Sequence, residues 1–482
     1  MKKLKIFTLL SSIQTIELKR YIRYIKSDSV FESRDYLPLA EHLLKFYPDF
    51  NSKLLTLGSM YNSLYPEKIF NKRVIISRLS ELNRITENFL LSIRINKNSA
   101  LRDKLLAEEL MHRKIYESFE HLIDKLIKKE KYNSKISEKQ LYDLDWMMMI
   151  KGEYLTNREK FPEIHELLGE NITVFFNYLV IRLLTMYCAM RSIGNFQVTG
   201  TSAKILDSFM RQINFENIIK SNSDSRLAGY MNVMLHIYKL YGKKSNDKEY
   251  YKAKMAFLEN IHSYEQNTKF TIFSLLYSYA ILQKNKGRYD FVKEIYDLLK
   301  LIIKYNGYLR TGNEYIPNML YREYIFSALK QKDVKGAEKF IENYSENLAP
   351  EYRETVKQYS IGKIKMHLKD FAAALKIYDS CPSNLPILNL DIRIDKLVAL
   401  YELGHIDEFI NELNKNKSIL KSNKKITAYQ YSSFKIYNTL MEKLVKLKLK
   451  PDTAAKNKLL TETGKLKIMH YKDWIIKQIN LI

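Results

Sequence analysis

The chain has 482 residues, enough at ~150 residues per domain for about three domains or for one extended repeat array. With 46% hydrophobic and 28% charged residues it excludes a disordered or fibrous chain, and its scarcity of glycine (14) and proline (9) argues against sandwiches, barrels and doubly wound sheets, whose tight connections need both. Lysine plus arginine total 79 against 54 acids, a net charge of +25 that either invites a polyanion or reflects biased residue usage, since lysine outnumbers arginine 60 to 19.

These numbers predict an all-α chain. From the N-terminus, residues 1–95 form a helical module with helices expected over 16–25, 36–46, 53–64 and 72–91, interrupted at Pro38, Pro48 and Pro66. The first ten residues place lysines before Ile-Phe-Thr-Leu-Leu, but Glu17, Lys19, Arg20 and Arg23 follow too soon for a strong secretory leader. In the fourth helix Ile75, Leu79, Leu82 and Phe89 fall on one buried stripe, and Asn71 is placed to cap it. The opposite face carries Arg73, Ser77, Ser80 and Arg84, with Lys72 and Arg78 beside it. A recognition helix of a helix-turn-helix unit looks this way, and so does the polar face of a capping bundle. Lys72, Arg73, Ser77 and Arg84 are therefore candidate nucleic-acid contacts.

The segments Glu17-Leu-Lys-Arg-Tyr-Ile-Arg-Tyr-Ile25, Leu43-Leu-Lys-Phe-Tyr-Pro-Asp-Phe50, Ile75-Ile-Ser-Arg-Leu-Ser-Glu-Leu82 and Phe89-Leu90 resemble the opening module of a set of uncharacterised helical proteins from Bacteroidetes-type bacteria. The resemblance spans about a fifth of the chain. It implies a cytoplasmic bacterial protein and brings no activity with it.

Residues 96–268 read as further helices, with eroded repeats among them. The apolar stretch 172–193 has Arg182 at its middle, which favours a core helix with its arginine turned outward or paired over a membrane span. The run Trp146-Met-Met-Met-Ile150 is expected in the core.

Self-similarity is strongest over 269–420. Turns followed by an amphipathic helix recur at Gly287-Arg288-Tyr289, Lys332-Asp333-Val334, Lys369-Asp370-Phe371 and Gly404-His405-Ile406, near the ~34-residue period of helix-turn-helix repeats. Ile361-Gly362, then Ala374 and Tyr378, then Pro386 resemble the tetratricopeptide pattern, with Gln358 and Lys365 departing from it. The resemblance implies an α-solenoid of antiparallel helix pairs, with Gly362 and Ala374 where two helices cross. Its first helices would line a concave groove. The positions Tyr277, Arg322, Tyr359 and Ile394 form one ladder there and Asn285, Lys330, His367 and Glu402 a second, with Lys363 nearby. Such aromatic and basic groups suit an acidic peptide or a carboxylate terminus, and packing with wetted charges would produce the same ladders. Tyr277, Arg322, Tyr359, Lys363 and His367 are the candidate partner contacts. The last region, 421–482, is read as lysine-rich helices: from Leu413 to Lys472 there are 15 lysines, no arginine and only Glu442, Asp452 and Glu462 as acids.

A search for chemistry is unrewarding. The interval Gly194 to Gly200 does not match a phosphate loop, His165-Glu166 lacks a second histidine one turn on, and no serine sits in a nucleophile elbow. Cys188 and Cys381 are isolated, so neither a disulfide framework nor a zinc site is expected. The expectation is a cytoplasmic, non-catalytic scaffold without cofactor or membrane anchor that binds a protein or peptide. The alternative is a regulator that grips nucleic acid through the N-terminal helix pair or the lysine-rich end.

Overall fold

The computed structural model describes residues 4–27, 35–192, 201–221, 225–242, 246–310, 312, 314–381, 385–422, 428–466 and 471–482. The fold is all-α: the described residues form 24 α-helices and no strand, with one isolated bridge between Ile136 and Tyr264. The segments 221–225, 242–247 and 306–313, rich in Ser, Asn, Asp and Gly, include residues outside this set, and the glycine interval 194–200 lies outside it.

Two compact units divide the chain, one of Met1–Lys129 with Met147–Leu167, the other of Glu130–Trp146 with Leu168–Ile482. The first is built from Lys5–Ser12 (α1), Leu18–Lys26 (α2), Leu37–Leu44 (α3), Leu57–Leu64 (α4), Lys72–Lys97 (α5), Ser99–His112 (α6) and most of Tyr116–Lys131 (α7). Glu138–Asn157 (α8) and Phe161–Ser192 (α9) contribute residues to both units. The segment read as a weak leader is helix α1, and its Ile6, Phe7 and Leu10 are buried in the core of this unit. Asn71 caps α5 by accepting from the backbone N–H groups of Arg73 and Val74, and Ile75, Leu79, Leu82, Ile85 and Phe89 bury its inner stripe. Tyr21 of α2 closes against it, its hydroxyl 2.7 Å from Thr86 Oγ1 and its ring on Phe89. Burial pushes that phenol up to about 12.

In the second unit the helices are Thr201–Gln212 (α10), Phe215–Lys220 (α11), Ser225–Leu240 (α12), Asp247–Glu259 (α13), Gln266–Asn285 (α14), Asp290–Lys304 (α15), Asn318–Lys330 (α16), Val334–Tyr344 (α17), Pro350–His367 (α18), Phe371–Ser380 (α19), Pro386–Leu403 (α20), Ile406–Ser422 (α21), Ala428–Leu449 (α22), Thr453–Lys465 (α23) and Lys472–Leu481 (α24). From α12 to α22 each helix except α13 to α14 packs firmly on its successor, and α16 with α18, α18 with α20 and α20 with α22 also touch.

The four turns found by spacing share one backbone geometry. Gly287, Lys332, Lys369 and Gly404 all have positive φ, at 89°, 59°, 61° and 74°. The next residue's N–H then reaches back to the helix just ended: Arg288 to Gln283 O, Asp333 to Ala328 O, Asp370 to Lys365 O and His405 to Leu400 O. This six-to-one bond is the Schellman termination, which satisfies carbonyls that the helix end would leave open. Asp333 and Asp370 then cap the following helices through Gly336 N–H and Ala373 N–H.

Helix α9 is long and apolar enough by composition to cross a membrane, and only 33% of its most apolar stretch is buried, less than the expected core helix would bury. Val180, Ile181, Leu184, Tyr187 and Cys188 pack inward, while Leu168, Ile172, Phe175 and Phe176 are exposed. Packing thus takes only one face. Arg182 is half exposed and donates to Glu138 Oε1 at 2.8 Å.

Candidate functional site

The expected groove residues lie on α14, α16 and α18, and α20 faces two of those helices with an unusual sequence. Its run Leu388, Leu390, Ile392, Ile394, Leu397 and Val398 is apolar and buried, but Asp391 and Asp395 stand one turn apart within it, also buried. Two carboxylates without water require cations and donors from neighbouring helices.

Those donors are the ladder residues themselves. Arg322 Nε donates to Asp391 Oδ2 at 2.6 Å, and the Tyr359 hydroxyl donates to the same oxygen at 3.1 Å. A second Arg322 nitrogen donates to Glu323 at 2.9 Å. Lys363 Nζ donates to Asp395 Oδ1 at 2.8 Å, the Tyr378 hydroxyl to Oδ2 at 2.6 Å, and the hydroxyl of Tyr471, just before α24, to Oδ1 at 2.7 Å. The Phe326 ring lies under both cations, 4.4 Å from the Arg322 guanidinium carbon and 4.7 Å from the Lys363 ammonium. Burial is the largest influence on Arg322 and works against its charged form, but Asp391, Tyr359 and Glu323 together outweigh it and hold the guanidinium above its ordinary range. Burial, with the nearby aspartates, pushes the Tyr359, Tyr378 and Tyr471 hydroxyls far up, so they stay protonated and donate to the carboxylates.

The ladder expected to face a partner is therefore partly closed. Arg322, Tyr359 and Lys363 are brought together, but they are buried and their polar groups are matched within the chain. Tyr277 is half-buried on α14, its phenol pushed up by burial and then by the charge of Glu323. His367 stands apart, exposed at the end of α18. Lys284, half-buried on α14, has its ammonium pushed down by burial, with Glu323 opposing and Lys330 and Arg322 adding to the shift. Sequence reasoning missed Asp391, Asp395, Phe326 and Tyr471. The legible signal was the pair of acids one turn apart in an otherwise apolar helix.

Close packing sets this cluster. A Cβ on Gly362 would come within 2.3 Å of the Tyr378 ring, so the glycine lets the α19 tyrosine lie against α18 and reach Asp395. Ala374, one turn before Tyr378, is fully buried.

The second candidate surface is on α5. Lys72, Arg73, Ser77 and Arg84 are all exposed. Ser77 Oγ donates to Glu81 at 3.3 Å, whereas Lys72, Arg73 and Arg84 have no acid partner among the described residues. Arg78, beside them, is tied inward: it donates to the Tyr65 and Tyr36 hydroxyls at 3.1 and 3.3 Å and to Glu81 at 2.9 Å.

Among the described residues no group of three or more His, Cys, Asp or Glu is placed to hold a metal ion. Both cysteines are buried and form no disulfide with each other, and burial pushes the Cys188 thiol far up, away from nucleophile chemistry. In the lysine-rich region Lys417 and Lys446 pair with Glu442, Lys443 pairs with Glu462, and Asp452 caps α23 through Ala455 N–H. No protein family, curated protein or solved structure matches the chain.

Proposed function

We propose that the chain is a non-catalytic, cytoplasmic scaffold in which the helices between Gln266 and Ser422 stack as antiparallel pairs in a tetratricopeptide-like α-solenoid and hold an acidic protein segment. The observation that carries this reading is the spacing of one left-handed, six-to-one bonded turn at Gly287, Lys332, Lys369 and Gly404, at intervals of 45, 37 and 35 residues; the same turn also ends helices at Lys114, Glu159 and Asn306, so the interval and not the geometry is the signal. Contacts between alternate helices α16, α18 and α20 support it, since stacked pairs bring equivalent helices side by side. With Arg322 and Lys363 matched by aspartates, their role is to fix the register between pairs. Partner contact falls instead to the accessible members of the same ladders, Tyr277, Lys330 and His367, with Lys284 beside them.

Affinity capture from the native cell, with and without nuclease, tests the reading. A protein retained after nuclease treatment, and lost with Lys330→Glu or Tyr277→Ala, supports it. Capture that vanishes with nuclease, or that neither substitution alters, defeats it.

A further inference from the structure

We propose that the exposed face of α5 in the first unit docks on duplex DNA, with α5 lying in the major groove and the Ile69-Phe70 tip against the groove rim. The face has an unusual composition. Between Lys72 and Arg84 the exposed positions are Lys72, Arg73, Ile76, Ser77, Ser80 and Arg84: three cations, two hydroxyls and one apolar side chain, with the part-exposed Glu81 at the border, bonded to Ser77. The cations have no acid partner among the described residues, while Arg78, Glu81 and Glu87 nearby are tied to one another or to Lys5, Tyr36 and Tyr65. Between Lys72 and Arg84 the unmatched positive charge thus lies on the outer face of α5, and α2 carries further exposed cations at Lys19, Arg20 and Arg23.

Arginine concentrates here as well. Seven of the 19 arginines fall in residues 1–97, about a fifth of the chain, two of them, Arg73 and Arg84, on this face, whereas the stretch from Leu413 to Lys472 has lysines as its only cations. Arginine's planar fork reads phosphate and guanine in two-point contacts that a lysine point charge cannot reproduce. Arg73 and Arg84 are eleven residues apart, so about 16 Å of rigid helix separates them, and Ser77 and Ser80 present short hydroxyls between them. A major groove about 12 Å wide admits one helix with such side chains reaching base edges and backbone.

Immediately before α5 the chain turns outward. Ile69 is 95% exposed and Phe70 48%, flanked by Lys68 and Lys72. An apolar tip beside cations suits the sugar edges of a groove rim. It would also suit an anionic membrane, but a membrane-facing helix carries apolar groups along its length, and between Lys72 and Arg84 this face exposes Ile76 alone.

The test uses the full chain and a fluorescent 20-base-pair duplex, with binding followed by anisotropy from 50 to 200 mM salt. Three phosphate contacts predict a logarithmic slope of about 2.7 and a loss of affinity of roughly forty-fold over that range. Arg73→Ala with Arg84→Ala should lower the slope by about 2. Ile69→Ser should weaken binding with the slope unchanged. All these positions are exposed, so unchanged circular dichroism checks the fold of each variant. Absence of duplex binding at 50 mM salt overturns the proposal. So does binding that the arginine pair does not affect, or equal loss with Lys435→Ala and Lys458→Ala, which would assign the contact to the lysine-rich end. Binding to phosphatidylserine vesicles that the same arginine variants abolish, with none to the duplex, would give the face to a membrane instead.

Discussion

Gly362 shows how one missing side chain arranges a buried cluster. Its backbone lies so close to the Tyr378 ring that a methyl group would sit 2.3 Å from a ring carbon. The ring has little freedom to move away, because its hydroxyl is held at 2.6 Å by Asp395, itself bound by Lys363. Gly362→Ala should therefore destabilise the protein by about 1–3 kcal/mol despite alanine's better helix propensity, since overpacking outweighs the gain of up to ~1 kcal/mol from removing a helical glycine. Urea unfolding of both proteins measures this, and a stabilised variant would show that the two helices separate easily. At the control position Gly169, also inside a helix but with nothing within 4 Å of an added Cβ, the same substitution should stabilise.

Among the elements, the turns repeat their geometry while changing their residues. Two of the four left-handed positions are glycines and two are lysines, Lys332 and Lys369. A side chain in this conformation costs ~1–2 kcal/mol that glycine avoids. Lys369→Gly should accordingly raise stability by up to about 1 kcal/mol after glycine's greater unfolded-state entropy is counted, and Gly404→Ala should lower it by a similar amount. Thermal denaturation of the two variants gives the signs, and like signs would refute a shared turn geometry. The turns were legible because Gly-Arg, Lys-Asp and Gly-His sit between helical periods, and the α5 seam was legible because its apolar spacing is regular. Lys5–Ser12 was not, since a short basic and apolar helix at the chain start reads the same as a leader. Nor was the burial of Arg322 and Lys363. A cation on a ladder looks identical in sequence whether it meets water or an acid 69 or 32 residues further on.

At the scale of the whole molecule, Asp395 ties together segments far apart in the chain: Lys363 of α18, Tyr378 of α19 and Tyr471 at the start of α24, which is 76 residues away. Asp391, one turn earlier on the same helix, binds Arg322 and Tyr359. The two carboxylates are similar in burial and differ in what they hold. Asp395→Ala leaves Lys363 buried without its acid, a loss of ~3–5 kcal/mol, whereas Asp391→Ala leaves Arg322 with Glu323 and costs less. Only the first releases Tyr471, whose left-handed backbone (φ 57°) needs an external hold. Ile475 and Ile479 still bury α24, so the helix should persist while opening more often. Hydrogen exchange resolved by peptide is expected to speed up over residues 471–481 in Asp395→Ala well beyond any change in Asp391→Ala. Equal acceleration in both would mean that global stability, and not the Tyr471 bond, governs this end. No acceleration in either would mean that apolar packing alone secures it.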